Sequence, residues 1–284
     1  MKKKEKIALV IEGGGFKSVF TAGVLDAFLV NKFNPFDIYI GVSSGAMCLS
    51  YYIASQYKTY FSLSKKVSVD KKFLSYSHAL SEQGYMDLNF LSKYAKQNNP
   101  LDFEKIKEST EDKQFYIVAT NLENGKPVYL EPNPKNHYKC LQATSSLPFF
   151  TKGSCEINGV SFMDGAWSDG IPAKSAVDFG ATKIIVIRPN TLGYKLNGLS
   201  YLGLVAGYWW KNNPEVRDNF FEEGRRYNEA VDFLTKDHEG IEILQICPDS
   251  FLKSNVVGTS IDDLKHDYHN GLEKGMDFLN TYFQ

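Results

Sequence analysis

A mainly parallel α/β sheet, covered by helices on both faces, is the fold class this sequence predicts, and two patterns predict it. Short runs rich in β-branched residues recur at 7–11, 37–42, 115–120, 128–131, 160–163, 183–188 and 241–247. Several lack the polar alternation of a half-solvated strand, as expected for strands buried on both faces. Helical patterns lie between many of them, at 19–29, 44–56 and 173–179. Strand, helix and strand in repetition build a parallel sheet with helices outside it. A chain of 284 residues, 43% hydrophobic and 23% charged, can bury one large core. The expectation is a three-layer α/β/α sandwich, a single domain over residues 1–284, with 190–284 in part a helical C-terminal elaboration.

The first strand, IALVI at 7–11, runs through Glu12 into Gly13-Gly14-Gly15-Phe16-Lys17-Ser18. This is a loop suited to holding negative charge, either a nucleotide's phosphates or a transient oxyanion. A P-loop needs G-x-x-x-x-G-K-[ST]. Lys17-Ser18 supplies its ending, but Phe16 and Ile11 stand where its two glycines belong. The dinucleotide fingerprint G-x-G-x-x-G is met by Gly13 and Gly15 but broken by Ser18, and Asp37 precedes the next strand instead of following it.

That next strand carries the sharper signal. DIYIGVSSGAMCLSYYIASQ reads as strand, tight turn and helix, with Gly41-Val42-Ser43-Ser44-Gly45 at the turn. This is G-x-S-x-G in the setting that gives the pattern meaning. Gly41 and Gly45 are small where helix and strand must approach. Ser43 is lifted above the sheet at a helix N-terminus, where backbone N–H groups favour developing negative charge. The competing explanation is a serine N-cap. Ser44 falls on the first helical turn and is expected to point away.

Asn124-Gly125 and Asn158-Gly159 are hairpin turns, so an antiparallel pair is expected beside the parallel strands. A nucleophilic serine needs a base within hydrogen-bond reach. The histidines are His78, His137, His238, His266 and His269. Only the last three suit the serine–acid–histidine order of a triad, and all three sit in charged segments that read as solvated surface. The stronger candidate is Asp164, which follows the apolar run 160–163 and is backed by Gly165-Ala166. A carboxylate at a strand end, with glycine permitting a tight turn, can be held rigidly against a nucleophile, and burial raises its basicity. Asp169-Gly170 shows that the chain also uses ordinary Asp-Gly turns.

Glycine loop, elbow serine and Asp-Gly-Ala in this order resemble the patatin-like phospholipase family, nearest to its bacterial single-domain subgroup. LQATSSLPFF at 141–150 is similar to the stretch that members carry before the aspartate. The resemblance runs from about Ile7 to Pro189. It implies that Ser43 is the nucleophile and Asp164 its base, with no catalytic histidine, and that Gly13, Gly14 and Gly15 form the oxyanion hole. Gly41, Gly45 and Gly165 would support the turns, and Lys17 would brace the loop or meet an anionic headgroup. Ser18 departs from the family's glycine. The implied activity is lipid acyl ester hydrolysis of phospholipase A or lysophospholipase type. The alternative is a non-catalytic nucleotide- or lipid-binding protein on the same scaffold.

No metal or other cofactor is expected, since Cys48, Cys140, Cys155 and Cys247 form no CxxC and lie at no metal-ligand spacing with histidine. A net charge of -1 gives no pull toward nucleic acid. The apolar run after the N-terminal lysines is too short for a signal peptide, and no stretch could span a bilayer, so a cytoplasmic protein is expected. The segment that begins at Ser200 and ends at Asn213, SYLGLVAGYWWKNN, is a candidate lid or a candidate for peripheral contact with a membrane; packing on its own core or on a subunit partner is the commoner fate of such tryptophans.

Overall fold

A computed structural model describes residues 5–75, 77, 84–198 and 201–283; His78, Leu199 and Ser200 lie outside them. One sheet holds all eight described strands: β1 (Ile7–Ile11), β2 (Ile38–Val42), β3 (Gln114–Asn121), β4 (Pro127–Leu130), β5 (Cys155–Ile157), β6 (Val160–Asp164), β7 (Lys183–Ile187) and β8 (Glu242–Ile246). Their order is β5-β6-β3-β2-β1-β7-β8, with β4 added on β3. β3, β2, β1, β7 and β8 run parallel. β4, β5 and β6 form the antiparallel part. As the sequence predicts, β5 and β6 are joined by Asn158-Gly159, both at positive φ, which matches the twist of a two-residue hairpin.

The absence of polar alternation in β1 has a direct cause. Ile7, Leu9 and Ile11 enter one core cluster, and Ala8 and Val10 enter another on the opposite face. The first face is covered by α1 (Ser18–Val30), α2 (Ser43–Ile53) and α11 (Ile261–Tyr282), the second by α8 (Ala173–Asp178) and α10 (Pro214–Thr235). This is the three-layer sandwich expected from the sequence. α1 and α11 meet backbone to backbone: a Cβ on Gly271 would lie 2.0 Å from the Phe20 carbonyl oxygen, and one on Gly23 2.2 Å from that of Tyr268.

Helices without a counterpart in the sequence pattern complete the site region. They are α3 (Thr59–Val67), α4 (Leu88–Asn98), α5 (Phe103–Ser109) and α6 (His137–Thr144), with the short α7 (Ala166–Asp169) after β6 and α9 (Tyr201–Trp209) before α10. Among the described residues no helix is long and apolar enough to cross a membrane.

Candidate active site

Ser43 sits at the carboxyl end of β2 on the first residue of α2, at φ 53°. A serine in the left-handed region is strained, and the turn persists because its neighbours hold it. Gly41 and Gly45 permit that turn. A Cβ on Gly41 would lie 2.6 Å from the Ala46 Cα, and one on Gly45 2.6 Å from the Glu12 carbonyl oxygen. The Ser43 N–H donates to Thr144 Oγ1 at 2.8 Å, and Thr144 Oγ1 donates to the Val118 carbonyl. The turn is thereby tied to β3 and to the end of α6.

Asp164 ends β6, next to Ala119 of β3 in the antiparallel register. Ser43 Oγ donates to Asp164 Oδ2 at 2.7 Å, and the Ala166 N–H donates to Oδ1 at 2.9 Å. Gly165 lies so close to β3 that a Cβ there would meet the Val118 oxygen at 2.3 Å. Both partners are buried. Burial pushes the Asp164 carboxyl up to about 7, against the downward pull of the Ala166 N–H and the Ser43 hydroxyl.

The described histidines lie elsewhere. His137 is buried and paired with Ser50 at 2.8 Å, and burial lowers it to about 4, so its ring is neutral. His238 and His269 bond backbone carbonyls, and His266 faces Asp267. None of these four is a hydrogen-bond partner of Ser43 or Asp164.

The glycine loop packs against the serine. A Cβ on Gly13 would lie 2.8 Å from the Ser43 Cβ. Among the described residues the N–H groups of Gly13 and Gly15 have no protein acceptor, whereas the Gly14 N–H donates to Ser44 Oγ at 3.1 Å. Ser44 therefore does not point away, as its place on the helix suggested. Its hydroxyl reaches back to the loop and meets Ser18 Oγ at 2.7 Å. Ser18 is the first residue of α1, after a tight 3-10 turn at Gly15–Lys17. At this position the chain ties loop and elbow together through a serine pair.

Lys17 turns away from the serine and donates to Asn190 Oδ1; burial lowers its pKa. It joins a buried polar network that sequence reasoning missed. The Glu12 carboxylate accepts from Arg188 Nε at 3.0 Å, Asn190 Nδ2 at 2.9 Å and Tyr227 Oη at 2.8 Å. Arg188 also donates to Gln245 at 3.3 Å. The available signal was a glutamate and an arginine closing two apolar strands.

An apolar cavity opens beside Ser43, lined by Phe16, Met47, Leu63, Phe73, Leu91 and Leu147 among others. A second one, behind Met47, Leu88 and Leu91, continues toward Tyr51, Ala95 and Leu141. Among the described residues no charged side chain lines either, and no cluster of metal-ligating side chains is present.

Residues 9–177 match the model of the patatin-like phospholipases. The chain belongs to the patatin-like phospholipase family. Its members are lipid acyl hydrolases, and the match covers the glycine loop, the elbow and the Asp-Gly-Ala turn. Residues 213–284 match a domain of unknown function (DUF6363). Over 280 residues this patatin-like chain is 30% identical to the uncharacterized protein YjjU of Escherichia coli (strain K12), covering 97% of the chain and 78% of that relative. The crystal structure of VipD from Legionella pneumophila shares the fold, with a TM-score of 0.51 at 12% identity, over 98% of this chain and 67% of that one.

Proposed function

We propose that the protein is a serine lipid acyl hydrolase with a Ser43–Asp164 dyad. The observation that carries this reading is the 2.7 Å hydrogen bond from Ser43 Oγ to a buried carboxylate. Asp164 takes the hydroxyl proton as Ser43 Oγ attacks the ester carbonyl. The N–H groups of Gly13 and Gly15, without an acceptor among the described residues, receive the oxyanion in this reading, and Gly14 joins them if Ser44 Oγ yields its N–H. The alcohol leaves with the proton from Asp164. Water, activated by the same carboxylate, then releases the fatty acid and restores Ser43. The two neighbouring apolar cavities, which share Met47, Leu88 and Leu91 as walls, favour an acyl chain over a polar group.

The test is hydrolysis of p-nitrophenyl esters by wild type, Ser43→Ala, Asp164→Asn and alanine variants of His238, His266 and His269, with fluorophosphonate labelling. Loss confined to Ser43 and Asp164 supports the dyad. Labelling and turnover that survive Ser43→Ala return the glycine loop to the binding-protein reading. The pH profile is a separate check. A base must be ionised to act, so kcat/KM falls on the acid side with an apparent pKa near that of Asp164, raised by burial to about 7. A plateau extending unchanged to pH ~5 excludes Asp164 as the base.

The same reading places the outer face of α9 at an anionic lipid surface. Tyr208 and Trp209 are 71% and 72% exposed, while Trp210 packs inward with Trp167 and Phe220. No acidic residue occurs from 190 to 213, and Lys211 stands 4.9 Å from the centre of the Tyr208 ring. Trp209 touches Phe149, two residues from the cavity-lining Leu147. Rings with a nearby lysine, in a segment with no carboxylate of its own, suit a headgroup layer. Trp209→Ser is expected to weaken binding to phosphatidylglycerol-containing vesicles by about tenfold, with unchanged turnover of a water-soluble ester. Equal vesicle binding by both proteins removes α9 from the interface.

A further inference from the structure

The C-terminal segment, matched above to a domain of unknown function, reaches into the site. From β8 the chain runs through a strap, residues 247–260, to α11. The strap is held from below by Asp267, a fully buried carboxylate on α11. Its oxygens accept the N–H groups of Lys253 at 3.1 Å and Ser254 at 2.6 Å. Two residues further on, the Val256 carbonyl accepts the N–H of Phe16 at 3.3 Å. The strap lies directly on the glycine loop: Gly15 has φ +57°, and a Cβ there would stand 2.1 Å from the Val256 oxygen. Val256 also lines the apolar cavity together with Gly15, Ser43 and Leu147. The residue is 43% exposed, which places it at the mouth.

We infer that this segment completes the acyl-hydrolase site: the strap positions the glycine loop against Ser43, and the Val256 side chain is the rim that discriminates acyl groups. The inference rests on the hydrolase reading of the same site. The strap is linked to the loop through α11 and α1 in series. Asp267 anchors it to α11, and α11 is locked to α1 through the Gly23 and Gly271 contacts. α1 starts where the glycine loop ends. The Gly15 N–H, which has no acceptor among the described residues, belongs to a loop residue whose far side rests on the strap. Displacing the strap therefore moves an oxyanion donor without touching Ser43 or Asp164. An oxyanion donor acts chiefly in the transition state, so its misplacement lowers kcat more than it raises KM. The rim side chain acts on the acyl group, so its effect depends on the substrate.

The experiment uses the full chain and a series of p-nitrophenyl esters from acetate to dodecanoate. Val256 is half-open to solvent, so its variants are expected to fold. Val256→Trp lowers kcat/KM for the dodecanoate by about tenfold or more relative to the acetate, and Val256→Ala shifts the ratio the other way. Asp267→Asn lowers kcat about tenfold at every chain length with KM little changed, and slows fluorophosphonate labelling in parallel. A merely structural role lowers the thermal midpoint and leaves the chain-length ratio alone. Wild-type ratios in both Val256 variants overturn the rim, and wild-type kcat in folded Asp267→Asn overturns the positioning role. If Asp267→Asn does not fold, the Val256 pair decides. A wild-type protein that hydrolyses no ester of any length is a different failure, that of the hydrolase reading itself.

Discussion

Asp164→Asn lowers ester hydrolysis by about 10³–10⁴-fold and, at neutral pH, makes the fold harder to unfold. The first effect follows from chemistry. An amide cannot take the Ser43 proton, and among the described residues no other base is hydrogen-bonded to Ser43. Groups that act as a unit fail as a unit, so Ser43→Ala costs about as much as Asp164→Asn, and the double variant little more. The second effect follows from burial, which holds the Asp164 carboxyl at about 7 against an ordinary value of 3.8. Below the ordinary value both folded and unfolded chains carry the proton, and the carboxyl brings no penalty. As pH rises toward the folded value, the unfolded chain ionises first and stability drains away. Above it the folded chain is ionised as well, and the loss is complete. Asparagine carries no such penalty, so its advantage is absent near pH ~3 and grows to a few kcal/mol by pH ~8. Urea unfolding of both proteins at the two ends of that range reads it directly. A variant that is inactive but no more stable at pH ~8 shows that the carboxylate is better solvated than its burial implies.

The two residues of this hydrogen-bonded pair were legible in the sequence because each is announced by its own turn. Ser43 stands between glycines that a strand-to-helix turn requires, and Asp164 follows an apolar strand and precedes a glycine that β3 leaves no room to enlarge. The central strands were legible for a similar local reason, since β-branched runs buried on both faces need no partner to be recognised. The walls of the cavity were not. α3 and α4 supply Leu63, Leu88 and Leu91, but they are short helices whose apolar residues have meaning only against other elements, α1, α2 and α11 for α3 and α6 for α4. Ser44 was misjudged because a helical wheel gives direction relative to the core, not the hydroxyl partner that Ser18 supplies across the loop. Val256 gave no signal at all, as its contact with Phe16 spans most of the chain. Glu12 looked like the end of an apolar run, whereas it is the centre of a network whose other members lie at 188, 190 and 227.

That network carries the largest stability effect expected away from the dyad. Arg188→Met is expected to lower stability by about 3–5 kcal/mol, because it leaves the Glu12 carboxylate buried without its cation. Arg188 is fully buried and its partner nearly so, which means that neither group can recover its hydration by a side-chain rotation. Asn190 and Tyr227 still donate to Glu12, yet neutral donors compensate a buried charge only in part. The double variant Glu12→Gln with Arg188→Met removes charge and counter-charge together, so it is expected to recover much of the loss. The exposed pair of Arg225 with Glu222 is the control: Arg225→Ala leaves the urea midpoint unchanged, as a solvated pair is screened. The network also bears on turnover. Glu12 immediately precedes Gly13, and Lys17 is tied to Asn190, so the glycine loop is gripped at both ends by groups that Glu12 gathers. Arg188→Met should therefore lower kcat while the protein is still folded, and the double variant should restore stability more fully than kcat. Recovery of both in equal measure would mean that the network holds the fold and has no separate hold on the loop.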